Sequence, residues 1–152
     1  MISKPDLKFL ITRYLKDAEA LLNNRRYASA IYLAGYALEL ALKYRICKIM
    51  IFSRGFPENK NEFDKYFSDT KKTLMRSAIR ELRDIRHHEL RRLLHYSGED
   101  HNVHANFSVE WNIVNGWSPE MRYKTTIVRK AKCEIFFNAA GRLINYIISI
   151  NL

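Results

Sequence analysis

The sequence contains few of the residues that break or cross-link a chain. Its 152 residues include only five glycines, three prolines and two cysteines. With no long-period repeat and no low-complexity segment either, an internal linker is not expected. With 47% hydrophobic residues, the chain is long enough for one buried core and too short for two domains of ordinary size. We therefore expect a single domain over residues 1–152.

The cysteines and histidines form no pattern with metal-ligand spacing. Cys47 and Cys133 lie far apart, inside segments with helical periodicity, where buried free thiols are common. His101 and His104 stand three residues apart in a polar stretch without a third ligand nearby. We expect no metal site and no cofactor.

Long hydrophobic runs are missing as well. No segment reaches the length of a membrane span, and residues 1–6 lack the apolar core of a signal peptide. These absences predict a cytoplasmic protein with no membrane partner.

Acidic residues are few compared with basic ones. The chain has 26 Lys and Arg against 16 Asp and Glu, a net charge of +10. Half of this excess falls between Lys71 and Arg92, a stretch that also contains His87 and His88, with His95 just beyond it. A basic run can be simply a solvated helix face. The histidines within this one favour contact with nucleic acid.

Hydrophobic periodicity predicts an all-α fold. Apolar residues recur at helical spacing from Leu7 to Leu22, and a second helix should follow from about Tyr27 to about Phe52. The break at Asn23–Arg25 is so short that these two helices must be antiparallel.

A third helix is predicted to start at Asp69 or Thr70. Its apolar face would contain Leu74, Ala78, Leu82 and Ile85, and its basic face Arg76, Arg80 and Arg83. A short helix from His88 to Gly98 and a polar loop over residues 99–106 should follow.

The last predicted helix completes the core with a stripe of apolar residues, and Gly141 within it suggests a close neighbouring helix. The stripe consists of Ile127, Ala131, Ile135, Ala139, Leu143, Tyr146, Ile147 and Ile150. The whole pattern predicts an up-and-down antiparallel four-helix bundle with an additional short helix.

Three separated segments resemble HEPN domains, in the order found in that family. The first is Ala18-x-x-Leu21-Leu22 with the alanine-rich second helix, the second is His88-Glu89-Leu90-x-x-Leu93-Leu94, and the third is Trp117-Ser118-Pro119-Glu120-x-Arg122-Tyr123. The resemblance covers nearly the whole chain. It implies a helical bundle that forms homodimers and works in RNA cleavage, toxin-antitoxin pairs or phage defence.

Ribonucleases of this family use an Arg-x4-6-His motif and no metal. Arg83 and His88 match this motif with four intervening residues, and Arg80 and His87 match it with six. A histidine can shuttle the proton of an attacking 2′-hydroxyl while an arginine stabilises the charge on the phosphate. In a segment so rich in arginine and histidine, His87 or His88 can also just begin the next helix.

The resemblance leaves a second function open, a non-catalytic dimeric module that binds a nucleotide or a partner protein. Some relatives pair with a nucleotidyltransferase-type antitoxin that adenylylates the tyrosine of Arg-x4-His-x-Tyr. Leu90 occupies that position here, so this modification is not expected.

Other polar residues allow structural and functional interpretations. Glu39 and Lys43, four residues apart in the second helix, are interpreted as an intrahelical pair rather than a catalytic one. Trp111 and Trp117 more naturally anchor a loop than stack on a base. Arg122, in a turn beside Tyr123, is a candidate phosphate ligand.

The basic stretch predicts RNA binding that depends on phosphate contacts and therefore on salt. Affinity for a short RNA should fall steeply as ionic strength rises, because each neutralised phosphate releases counterions. An Arg76→Ala/Arg80→Ala variant should bind more weakly and with a shallower salt slope, as measured by fluorescence anisotropy. Binding that is unchanged by salt or by this double substitution would rule out the interpretation.

Overall fold

The computed structural model describes residues 1–66, 68 and 79–151. Its α-helices are α1 (Lys4–Asn23), α2 (Tyr27–Ile49), α3 (Leu90–Tyr96), α4 (Asp100–Asn106), α5 (Ser108–Val114) and α6 (Lys130–Ser149). Two 3-10 helices, η1 (Leu82–Asp84) and η2 (Pro119–Tyr123), and a helical segment over residues 60–66 complete the regular structure. Since these ranges contain no strand, the predicted all-α fold is confirmed. None of these helices has the length and apolar character needed to cross a membrane.

The first two helices form the antiparallel pair that the sequence predicts. The Ser3 hydroxyl accepts a hydrogen bond from the Asp6 amide and caps the start of α1. After α1, Arg25 takes a left-handed conformation with φ of 59°, which turns the chain into α2. At the opposite end of this helix pair, Ile2 before α1 and Phe56 after α2 exchange backbone hydrogen bonds of 3.0 and 2.8 Å.

Helix α2 is the centre of the bundle and is buried on nearly all sides. It packs along α1 and α6 and also contacts α3 and η2. A helix surrounded in this way needs apolar residues around its whole circumference. Its alanines at 30, 34, 37 and 41 are completely buried and keep the neighbouring helices close.

Gly35 allows close packing against a neighbouring segment, and Gly141 does not. The indole ring of Trp117 occupies the space in which a Cβ of residue 35 would lie. A Cβ built on Gly141 would have no neighbour within 4 Å, so the predicted close approach there is wrong.

The segment before α3 differs from the predicted third helix. Residues 79–81 and 85–89 are not helical, and only η1 lies between them. The Asp84 carboxylate accepts hydrogen bonds from the backbone amides of Arg80 and Glu81, at 2.9 and 3.0 Å. Such side-chain bonds to the backbone compete with a continuing α-helix. Asp69, Thr70, Leu74, Arg76 and Ala78 of the predicted helix lie outside the described residues.

The polar stretch after α3 forms α4 instead of the predicted loop. Glu99 precedes α4 and is buried, with its carboxylate 2.8 Å from both Nε and Nη2 of Arg45 on α2. The Tyr146 hydroxyl of α6 donates to the same carboxylate at 2.9 Å. This contact between distant parts of the chain fixes the start of α4, and a local hydrophobic pattern does not reveal it.

The predicted stripe of the last helix is correct only in its second half. Ile127 precedes α6 and is 91% exposed, and Ile135 is 54% exposed. The first half of α6 instead buries Cys133 and Phe136, and Leu143 and Ile147 follow as predicted. Both cysteines are buried, as expected, and burial raises the pKa of the Cys47 thiol to about 12.

The contact between Gly35 and Trp117 predicts opposite effects for two glycine substitutions. Gly35→Ala should lower the free energy of unfolding by about 1–3 kcal/mol, because the new methyl group overlaps the indole. Gly141→Ala, in open space within α6, should raise it by up to about 1 kcal/mol through helix propensity. Urea denaturation followed by circular dichroism measures both values. Equal effects of the two substitutions would contradict the packing at Gly35.

Candidate functional site

His88 is bonded to a carboxylate that lies in the core of the bundle. Glu39, on α2, is only 1% exposed. Its Oε2 lies 2.9 Å from His88 Nδ1, and its Oε1 accepts a hydrogen bond of 2.6 Å from Lys43 Nζ. A buried carboxylate needs such partners, because an unpaired charge in the core is strongly unfavourable.

This arrangement orients the imidazole ring. Because the Glu39 carboxylate can only accept, Nδ1 of His88 carries the hydrogen, and in the neutral ring Nε2 has the free lone pair. The His88 side chain is about half exposed, so Nε2 is available to a ligand. A carboxylate that fixes the tautomer of a histidine in this way is a common feature of proton-transfer sites.

The sequence predicts only part of this cluster. The intrahelical pair between Glu39 and Lys43 is present as predicted. The bond from Glu39 to His88 joins residues 49 positions apart, and the sequence does not indicate it. Glu39 itself was the available signal, since a glutamate among the apolar turns of the second helix requires partners.

Aromatic rings support His88 from the side of α2. The centroid of Tyr36 lies 6.0 Å from that of His88, and Tyr36 in turn contacts Tyr14, Tyr32 and Trp117. Burial, followed by the negative charge of Glu39, raises the pKa of Tyr36. Trp117 is buried, as is Trp111, which agrees with their predicted anchoring role.

Two cavities meet at His88. The larger, which we call the α2 cavity, has a volume of about 600 Å³ and is lined by Tyr36, Glu39, Lys43, Phe56, Arg86 and His88, among others. The smaller, which we call the η2 cavity, has a volume of about 450 Å³. Its lining includes His88, Arg91, Asn115, Ser118, Pro119 and Glu120. An extended ligand can therefore pass across His88 with groups on both sides.

His87 is held by hydrogen bonds at both ring nitrogens. Its Nδ1 accepts from the Glu89 amide at 3.1 Å, so Nε2 carries the hydrogen and donates to the Asp84 carbonyl at 2.8 Å. Burial, the largest cause, lowers the pKa of His87, although the bond to Asp84 acts in the opposite direction. A neutral ring with both nitrogens in use is poorly suited to transfer protons.

Arg80 and Arg83 line neither of the two cavities at His88. Arg83 is 81% exposed, and its Nε lies 2.7 Å from the Glu81 carboxylate. Arg80 and Arg83 line a separate cavity of about 510 Å³ with Lys60 and Asp64. The structure therefore brings His88 together with Glu39, while Arg83 has a different partner and a different cavity. Arg76 lies outside the described residues.

Arg122 is an exposed residue of η2. Its guanidinium lies over the Tyr123 ring, 4.7 Å from the centroid. A hydrogen bond with Tyr32, together with one to Tyr123, raises the pKa of the Arg122 guanidinium. A cation held in this way is compatible with the predicted phosphate contact.

Arg86, Arg91 and Glu120 line the cavities at His88, and the sequence analysis did not select them as site residues. Arg86 and Arg91 were part of the basic run, and Glu120 was part of the Ser-Pro-Glu turn. Their proximity to His88 results from the packing of two distant segments, which sequence spacing does not reveal. No group of three or more potential metal ligands occurs within residues 1–66, 68 and 79–151.

The comparison with protein families agrees with the all-α fold. Residues 12–85, about half of the chain, match the family model of the HEPN domain. The chain belongs to the HEPN domain family, and a function related to RNA or nucleotides is the general expectation for such a domain. Comparisons with curated proteins and with solved structures find no significant match.

The burial of His87 predicts a titration point below the usual value for histidine. In an NMR titration, its ring should remain neutral below the usual pKa of about 6.5. The unfolded chain then takes up this proton before the folded chain, so the stability that His87 contributes above pH 6.5 decreases as the pH falls through its lowered pKa. The stability difference between the parent and a His87→Asn variant should therefore be smaller at pH 5 than at pH 7.5. A His87 signal that titrates at or above pH 6.5 would contradict this effect of burial.

Proposed function

We propose that this HEPN protein is a metal-independent endoribonuclease that acts as a toxin or defence component. The observation that supports this proposal most strongly is the bond of 2.9 Å between the buried Glu39 carboxylate and Nδ1 of the half-exposed His88. The oriented ring presents Nε2 at the junction of two cavities. Proton transfer by such a group contributes about a hundredfold or more to a reaction rate.

Basic side chains near His88 suit the phosphates of an RNA strand. Arg86 lines the α2 cavity and Arg91 lines the η2 cavity, so an exposed guanidinium lies on each side of His88. Guanidinium groups bind phosphate oxygens in pairs and stabilise the charge that develops during cleavage. Arg83 remains a candidate because of its spacing from His88, and Arg122 is a further candidate phosphate ligand.

We also propose that the protein forms a homodimer. Beyond the family resemblance, the support is a set of large apolar side chains in η2, before α6 and in α6 that are exposed in the single chain: Tyr123, Ile127 and Ile135. Two of them belong to the stripe that the sequence places in the core. Apolar side chains this exposed are suited to burial against a second copy.

A second candidate function is a non-catalytic module that binds a nucleotide or a partner protein, such as a nucleotidyltransferase-type antitoxin. The pairing of Arg83 with Glu81 favours it, because the motif arginine then does not act with His88. Adenylylation at position 90 is not expected in either case, because the side chain of Leu90 has no hydroxyl group to modify.

Three alanine variants test the ribonuclease proposal. His88→Ala should reduce RNA cleavage, or growth inhibition in a bacterial host, by about a hundredfold or more while preserving helical content and dimerisation. Arg86→Ala should reduce cleavage by about tenfold to a hundredfold through lost phosphate contacts. Arg83→Ala shows whether the motif arginine takes part. Gel assays with defined RNAs, repeated in a chelator, measure these rates.

His101→Ala is the matched control, because His101 is an exposed histidine on α4 that lines neither cavity at His88. It should cleave RNA like the parent. If His88→Ala also cleaves like the parent, His88 has no role in the reaction. If the parent is inert towards every RNA tested, the binding module is the better description.

A further inference from the structure

The η2 cavity contains a second ionisable group besides His88. Its lining comes from two segments, residues 87–91 before and within α3 and residues 115–120 leading into η2. The first provides the His88 imidazole and the second the exposed Glu120 carboxylate. A histidine and a carboxylate on one cavity can divide the two proton transfers of a cleavage reaction between them.

The surroundings of Glu120 keep its carboxylate ionised. The Ser118 hydroxyl donates a hydrogen bond to it, and this bond is the main cause of its lowered pKa. Its own backbone amide and the positive charges of His88 and Arg122 act in the same direction. The other charged or titratable groups around the cavity are His87, Glu89 and Arg91, and Glu39 with Lys43 lies on the α2 side of His88.

Resting on the ribonuclease function, we propose that Glu120 is the general base and His88 the general acid of RNA cleavage. Glu120 accepts the proton of the 2′-hydroxyl, and the 2′-oxygen forms a bond to the phosphorus. The bond from phosphorus to the 5′-oxygen breaks, and the Nε2 hydrogen of protonated His88 passes to that oxygen. The products are a 2′,3′-cyclic phosphate and a 5′-hydroxyl, without net gain or loss of protons by the RNA.

The hydrogen bonds of the site determine which group takes which role. Since Nδ1 of His88 is bonded to Glu39, Nε2 is the ring nitrogen that can reach a substrate. Protonated, it has one hydrogen to give to a leaving group. Glu120 is ionised and can only accept, which suits it to the 2′-hydroxyl.

Two substrates separate the two roles. One is an oligoribonucleotide, and the other is a ribonucleoside 3′-(4-nitrophenyl phosphate), whose leaving group needs no proton. Glu120→Gln should lower the cleavage rate of both by about a hundredfold, because the base is required in each case. His88→Ala should lower cleavage of the oligoribonucleotide by a similar factor and cleavage of the nitrophenyl ester much less.

The pH profile provides a readout that a merely structural role would not change. The parent should show a bell-shaped profile, with its acid limb set by Glu120. Ser118→Ala removes the hydrogen bond that lowers the Glu120 pKa, so the acid limb should move to higher pH. Glu120→Gln should lose this limb. Glu134→Gln, an exchange on the partly exposed face of α6 where Glu134 pairs with Lys130, is the matched control and should behave like the parent.

Several results would overturn the assignment. If Glu120→Gln cleaves both substrates like the parent and keeps the acid limb, Glu120 is not the base. If His88→Ala loses both activities equally, His88 is not the acid. Both outcomes leave the ribonuclease function intact, whereas a parent that cleaves neither substrate overturns that function together with this inference. Circular dichroism of each variant separates lost folding from lost chemistry.

Discussion

The burial of the Glu39 charge is the constraint on which the site depends. A carboxylate inside a helical core is stable only with partners, and removing one partner of a buried pair typically costs about 3–5 kcal/mol. Lys43, one turn along α2, supplies one partner, and His88 supplies the other. The second bond attaches the irregular segment before α3 to the central helix. The same contact therefore stabilises the fold and orients the imidazole.

A second buried carboxylate binds α2 nearer its C-terminal end in a similar way. Glu99 joins Arg45 of α2 to Tyr146 of α6 at the point where α4 begins. In both cases a long-range ionic contact, and not local helix propensity, decides where a connecting segment lies. Buried ion pairs contribute little net stability compared with apolar packing, but they permit few alternative arrangements. Their main effect here is to give the short helices defined positions on the three long ones.

The site lies where the segment that contains His88 and the segment leading into η2 meet at the rings of Tyr36 and Trp117. Trp117 packs directly on Gly35, and this contact places η2 and Glu120 beside the segment that contains His88. Gly35 therefore affects the site through its contact with Trp117, although Gly35 itself lines neither cavity at His88. A similar argument applies to Tyr36, whose ring contacts both His88 and the Trp117 indole and limits the positions open to His88.

The sequence by itself determined the helical class, the presence of α1 and α2 with the short turn between them, the buried thiols and the tryptophan anchors. Each of these depends on the spacing of apolar residues or on turn residues close to one another. Tertiary structure alone decided the irregular course of residues 79–89, the formation of α4 and the buried face of α6, because side chains from distant segments compete there with local propensity. It also decided the partner of His88. Spacing along the chain suggested Arg83, but a buried charge on α2 lies closer in space, and an unpaired carboxylate costs more than an exposed arginine.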